Sequence, residues 1–215
     1  MAKTAQTKTN PPKARRRKEA RPGEIMAAGL KAFSEKGFAA TRLEDVAEAA
    51  GVSKATIYLY FESKADLLKA ILLDVVAPRI GDLEAIARAY DGPAPDLFRL
   101  LYDGATKTIN SPDVRSLVKL ILSEARNFPE ITEFYWKEVA HRALHTLAHI
   151  IEHGTRRGEF RPCDPVATAQ SVIFPVLMNA LATEVFGPMP EFSTAKFYPS
   201  HLEFVLRGLA ADREV

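Results

Sequence analysis

One cysteine, Cys163, occurs in 215 residues, so no intrachain disulfide can form and nothing points to an oxidising compartment. No uninterrupted apolar run approaches the roughly 18 residues of a membrane-spanning helix. The opening residues, "MAKTAQTKTNPPKARRRKEARPGE", lack the apolar stretch of a secretory signal. These absences predict a cytoplasmic protein with no membrane partner. No segment alternates convincingly between apolar and polar residues, as a half-buried strand would, and no internal repeat is evident. A nucleophile–base pair, a Gly-rich phosphate loop and a dense set of metal ligands are also missing. Neither an enzyme nor a cofactor or metal is therefore expected.

What is present is a substantial apolar fraction, 47%, enough to build a core. The net charge of +2 conceals an asymmetry. Residues 1–80 carry 15 Lys+Arg against 9 Asp+Glu, whereas residues 81–215 carry 14 against 18. A basic first part ahead of a mildly acidic body predicts a polyanionic partner for the first part. Residues 1–20 are polar and aperiodic and read as a disordered basic arm, with residues 21–68 and 69–215 as two helical domains. A solubilising tail is the plainer reading of the arm; the sharper one lays Arg15–Lys18 along a minor groove or across phosphates.

From Pro22 the pattern becomes helical. Pro22 suits a first helical turn and Gly37 the turn after a last one. Thr41 and Glu44 stand in the S/T-x-x-E spacing of a capping box, which predicts a helix over about 42–49. Residues 63–90 read as one long helix bent at Pro78 or Gly81. Further helices are predicted over about 94–110, 112–128, 129–158, 164–187 and 200–211, the last opened by Ser200 and Glu203. The fold class is all-α, with about nine helices.

Between residues 51 and 64 lies "GVSKATIYLYFESK". On a helical wheel Ile57 and Phe61 share one face, while Ala55, Thr56, Tyr58, Leu59 and Tyr60 occupy the other. So short a helix must rest on its neighbours. Its outer face suits a DNA major groove: Ala55 permits close approach and Leu59 can meet a thymine methyl. Thr56, Tyr58 and Tyr60 can donate to phosphate oxygens, Lys54 and Lys64 supply charge, and Ser53 can cap the helix. Helix, tight turn with Gly51, helix is a helix-turn-helix. A small bundle with a few exposed aromatics has the same pattern.

Residues 37–72, "GFAATRLEDVAEAAGVSKATIYLYFESKADLLKAIL", resemble the DNA-binding segment of the TetR (tetracycline-repressor) family of bacterial transcription regulators. The shared features are G-F-x-x-T, D-V-A-x-x-A-G-V-S, T-I-Y-x-Y-F and S-K-x-x-L-L. The resemblance implies Thr41 on phosphate, with Arg42 and Ser53 beside it. It implies Lys54, Ala55, Thr56, Tyr58 and Leu59 at or near the groove, and Tyr60 and Lys64 on the backbone of double-stranded operator DNA. It also implies a homodimer whose C-terminal domain binds a small-molecule effector and, by family habit, a repressor. An activator and a nucleoid-type DNA binder remain the alternatives.

In the second half, Phe98, Tyr102, Leu120, Glu124, Phe128, Trp136 and Phe174 are the candidates to line an effector pocket, with ordinary core as their plainer fate. The apolar bias favours a hydrophobic or amphipathic effector. Helix 165–186 is apolar on more than one side, so Phe174, Leu177, Met178, Leu181 and Val185 are candidates for a two-fold interface. Leu202, Val205, Leu206 and Leu209 join them from the last helix. His141, His145, His149 and His153 recur every fourth residue, but the stripe winds round its helix. A solvated face is expected there, and a metal-sensing role is the minority alternative.

Overall fold

The computed structural model describes residues 13–187, 189 and 193–211, with side chains from residue 22 onward except 183 and 184. The architecture is all-α. In order the helices are α1 (Lys13–Lys36), α2 (Leu43–Ala49), α3 (Lys54–Tyr58), α4 (Lys64–Val75), α5 (Ala77–Ala89) and α6 (Ala94–Ile109). Then come α7 (Pro112–Glu124), α8 (Pro129–Tyr135), a π-helical turn (Trp136–Ala140), α9 (His141–Arg156), α10 (Pro165–Phe186) and α11 (Thr194–Leu209). Among the described residues the sole β feature is an isolated antiparallel bridge between Phe160 and Ala210. The chain divides into two compact units, Met1–Leu68 and Lys69–Val215.

In the first unit, Ile25, Phe33, Phe38, Val46, Ile57 and Leu67 form a buried centre. The rings of Phe33 and Phe38 meet at 5.3 Å between centroids. The turn from α2 to α3 depends on Gly51, whose φ of 65° is a left-handed conformation that a side chain resists. The α2 cap falls one residue later than the capping-box spacing predicts. Its N-cap is Arg42, and Asp45, not Glu44, accepts the Arg42 backbone N–H at 3.3 Å. The Thr41 hydroxyl turns inward and donates to the Gly37 carbonyl at 2.7 Å. The shift matters, because it leaves the Glu44 carboxylate available to α3.

In the second unit α6, α9, α10 and α11 enclose a core that includes Phe98, Tyr102, Ile151, Phe160, Val172 and Leu209. Phe98 stacks on Tyr102 and meets Phe160 edge-on, the centroids 6.5 and 6.3 Å apart. Arg142 of α9 donates through Nε and Nη2 to both carboxylate oxygens of Glu84 in α5, each at 2.9 Å. Such a two-point pair fixes direction as well as distance. Polar ties join α6 to α11: the Tyr102 hydroxyl lies 2.9 Å from His201 Nδ1, and Asn110 donates to the Tyr198 hydroxyl at 2.8 Å.

Four boundaries differ from the sequence reading, each for a local reason. Helix α1 is helical from Lys13, within the arm expected to be disordered, and holds Pro22 in its interior. Lys, Arg, Ala and Glu favour helix without any apolar stripe, so periodicity alone could not have revealed those turns. The predicted long helix over 63–90 breaks at Val76, one residue ahead of the Ala77–Pro78 pair that opens α5. Proline is tolerated in a first turn, where its missing N–H breaks no helical bond. The helix predicted over 129–158 is divided by the π-turn. Finally α11 opens at Thr194, so Ser200 lies inside it and caps nothing.

Candidate functional site

The first site is built around α3. Ser53, its N-cap, accepts the Thr56 backbone N–H at 3.1 Å, and its hydroxyl lies 2.8 Å from that of Thr56. Only Ile57 of the helix is buried, at 0% exposure, and Phe61 just beyond packs beside it. Leu59 is 81% exposed and Tyr58 44%. Ser53, Lys54 and Ala55 are exposed, as is Arg42, while Thr56 and Tyr60 are partly so. The exposed Leu59 is thus flanked by a small residue and by hydroxyls.

Glu44 organises that surface. Its carboxylate accepts from Lys54 Nζ at 2.7 Å and from the Tyr58 hydroxyl at 3.2 Å. The bond to the Lys54 ammonium is the largest reason that the Glu44 pKa is held down to about 2, and the same bond raises that of Lys54. Glu44 was absent from the site expected on sequence. Its position ten residues ahead of Lys54 carries no local periodicity, so only the fold reveals the pair.

Two residues expected on DNA are engaged within the protein. Thr41 is 1% exposed and its hydroxyl is satisfied by the Gly37 carbonyl, which corrects the phosphate role expected of that side chain. Lys64 Nζ donates to the carbonyls of Phe38, Ala39 and Thr41 at 2.7, 2.9 and 3.2 Å and lies 4.7 Å from the Phe38 ring centroid. An ammonium has three donors. All three close the turn between α1 and α2, so Lys64 is a structural clamp here. Arg15–Lys18, expected on a minor groove or phosphates, lie outside the residues whose side chains are described.

The second site is a cavity of about 320 Å³ inside the C-terminal unit. Of the residues proposed on sequence to line a pocket, Tyr102, Trp136 and Phe174 line this cavity. Phe98, Leu120, Glu124 and Phe128 do not. Phe98 and Leu120 are buried in packing, and Glu124 instead accepts a hydrogen bond from Asn127 at 3.0 Å. Aromatic spacing could not separate wall from core, because both present apolar rings at the same helical period. The histidine stripe lies elsewhere: His141, His145 and His149 are exposed, and the rings of the first two approach to 4.1 Å. Among the described residues no three His, Cys, Asp or Glu side chains are grouped to hold a metal ion.

Comparison with known proteins assigns the chain to a family. Residues 25–71 match the family described as bacterial regulatory proteins, tetR family, and residues 99–198 match the AefR-like transcriptional repressor C-terminal domain. The chain belongs to the TetR family of transcriptional regulators. It is 25% identical over 184 residues to the HTH-type transcriptional regulator RutR of Escherichia coli (strain K12), covering 79% of this chain and 76% of that one. To the HTH-type transcriptional regulator EthR of Mycolicibacterium smegmatis (strain ATCC 700084 / mc(2)155) it is 29% identical over 203 residues, 89% of each. The fold is shared with a SmeT–triclosan complex at a TM-score of 0.75 and 24% identity, over 90% of this chain and 93% of that one. The relatives are transcriptional regulators rather than enzymes.

In this TetR-family chain the outer faces of α10 and α11 are apolar. Phe174, Met178 and Val185 are exposed, with Phe186 and Phe204 beside them in kind, Phe204 at 77%. Leu202, Val205 and Leu206 are partly buried against the protomer's own core, and Leu177 lines the cavity. Leu181 and Leu209, expected at a two-fold interface, are buried within the protomer at 6% and 2%. Leu209 falls in register with Leu202 and Val205, so it shares their inward direction. Phe204 was missed, although it lies opposite that stripe, where a large apolar residue is itself a signal. An 18-residue window of α10, Pro165–Ala182, has a mean hydropathy of 1.4 and the length of a membrane span, but Ala169, Val172, Val176 and Ala180 within it pack into the protein core.

Proposed function

We propose that the chain is a homodimeric, cytoplasmic repressor, released from a near-palindromic operator when a small hydrophobic or amphipathic effector fills the C-terminal cavity. The observation that carries this reading is the joint presence of an outward α3 face and an apolar cavity in one chain. Arg42, Ser53, Lys54, Ala55, Thr56, Tyr58, Leu59 and Tyr60 form the DNA surface. Ala55 and Leu59 enter the major groove, and the hydroxyls and cations meet phosphate. Lys54 and Tyr58 exchange Glu44 for phosphate oxygens on binding. Phe174, Met178, Val185 and Phe204 supply the apolar contact of a two-fold dimer, which presents two α3 helices to successive groove faces.

Effector binding shifts the population toward a dimer whose α3 helices no longer match the operator spacing. Linkage makes the coupling reciprocal: operator DNA must weaken effector binding by the same factor as effector weakens operator binding. Calorimetric titration of effector with and without operator tests this, and equal affinities would remove the repressor reading. Competition by random DNA tests sequence choice. A specific regulator should retain a preference of about 10³-fold or more. Phe204→Asp should yield a folded monomer in sedimentation and lose operator binding; an unchanged dimer would place the interface elsewhere.

A further inference from the structure

The cavity offers two side-chain hydroxyls, those of Thr108 and Tyr135, that the protein itself leaves unused among the described residues, and only the second is a phenol. Its walls contain no Asp, Glu, Lys, Arg or His. Most polar atoms in the lining are already engaged. The Tyr102 hydroxyl bonds to His201, the Thr106 hydroxyl donates to the Asp103 carbonyl at 3.1 Å, and the Thr146 hydroxyl donates to the Arg142 carbonyl at 2.8 Å. Gln170 and Trp136 are exposed and belong to the rim. The hydroxyl of Tyr135, at the end of α8, makes no hydrogen bond among the described residues.

Local backbone brings Tyr135 there. It immediately precedes the π-turn Trp136–Ala140, and Trp136, Val139 and Ala140 share the same cavity wall. Trp136 and His141, five residues apart, meet edge-on at 5.8 Å, the neighbour relation that a wider turn creates. Single π-turns inside helices are frequent at functional sites. Tyr135 keeps accessible surface, yet burial pushes its pKa up to about 12. A phenol so placed remains protonated and can donate or accept one bond.

We infer that the cavity takes an uncharged, largely apolar molecule whose single oxygen or nitrogen hydrogen-bonds the Tyr135 hydroxyl. An apolar cavity of ~150 Å³ accommodates benzene, so this one admits roughly twelve to fifteen non-hydrogen atoms. An ionised head group would lie against walls with no countercharge, at a large desolvation penalty. The inference deepens the effector reading and rests on it for its regulatory meaning, but not for the binding chemistry.

Three probes on one biphenyl frame test it: biphenyl, 2-phenylphenol and biphenyl-2-carboxylate, each titrated calorimetrically into the full chain. The neutral pair should bind, and the carboxylate at least tenfold more weakly. Tyr135→Phe should weaken 2-phenylphenol by roughly three- to tenfold, the scale of one neutral hydrogen bond, and leave biphenyl within twofold. Ala143→Leu, which fills the cavity from α9 without touching the phenol, should abolish binding of both neutral probes while the unfolding midpoint holds. Equal affinity for the carboxylate, equal loss of phenol and biphenyl in Tyr135→Phe, or no binding of the phenol would overturn the proposal. The same probes are then added to the protein on a DNA fragment selected from a random pool. A phenol that binds through Tyr135 without altering DNA affinity defeats the effector reading alone. Release that persists unchanged in Tyr135→Phe defeats the anchor alone.

Discussion

Helices α3 and α10 meet opposite demands. The first has five residues and buries one, Ile57. Its order comes from directed bonds: the Ser53 cap, the left-handed Gly51 turn, and Glu44 holding Lys54 and Tyr58. The second has 22 residues, is capped by Asp164 accepting from Val166 and Ala167 at 2.9 Å, and is apolar on more than one side. Its residues serve a core (Val172, Val176), a cavity (Leu177) and an outer face (Met178, Val185). Where bonds are directed, each residue has one possible task. Where burial dominates, neighbouring apolar residues are interchangeable until the fold assigns them.

The sharpest way to break that contrast is within α3 itself. Ile57→Ala should destabilise the protein by about 2–5 kcal/mol, because loss of the helix's one buried side chain leaves a cavity. Leu59→Ala, two residues on, should change stability by less than about 0.5 kcal/mol and reduce operator affinity. Chemical denaturation and DNA titration on both variants measure the two effects. Similar stability losses at the two positions would contradict an outward Leu59.

Lys64 comes next in size. Replacing it with Met leaves three carbonyls of the α1–α2 turn without their donor, and unfolding should become easier by about 1–3 kcal/mol. The dependence of operator affinity on salt should keep its slope, since this ammonium is not available to release a phosphate counterion. A slope reduced by about one would return Lys64 to the DNA backbone, where the family resemblance put it.

Particular residues show what was legible. Ile57 and Phe61 were placed inward and Leu59 outward by the helical wheel alone, since a short amphipathic helix permits only one solution. The helix-turn-helix motif followed from the same wheel together with the Gly51 turn. Thr41 and Lys64 bond inward where the resemblance implies phosphate, because a hydroxyl and an ammonium bond equally well to phosphate or to a nearby carbonyl, and only the path of the chain decides. Phe98 and Phe174 looked alike in sequence, yet one is core and the other is cavity wall and surface. Helix period reports direction relative to an axis. It does not report what stands opposite.

A smaller effect belongs to the C-terminal unit. Burial holds the His201 imidazole below its ordinary value of 6.5, with Tyr102 at Nδ1 and the Phe197 ring stacked 5.3 Å away. The folded protein therefore keeps this ring neutral at a pH where the unfolded chain protonates it. Its contribution to stability is complete above about 6.5 and is lost as pH falls from there toward the lower native value. Thermal midpoints should drop across that window, and His201→Gln should flatten the drop. A variant with the wild-type pH dependence would show that His201 does not titrate against folding.

The smallest change tests how the directed bonds of α3 respond to a partner. Glu44 has its pKa held near 2, so mild acid cannot free Lys54; the carboxylate remains ionised throughout the range where DNA binding is measured. Glu44→Gln removes the competing charge instead. Because the pair lies at the surface, unfolding should be almost unchanged. The released Lys54 and the lost negative charge should make operator binding tighter at low salt and steepen the log K against log salt plot by about one. Acid titration of wild type from pH 7 to 5 should show no such gain from this pair. Were Glu44→Gln to leave the slope unaltered, Lys54 would not be exchanging a carboxylate for phosphate, and α3 would meet DNA through Ala55, Leu59 and its hydroxyls alone.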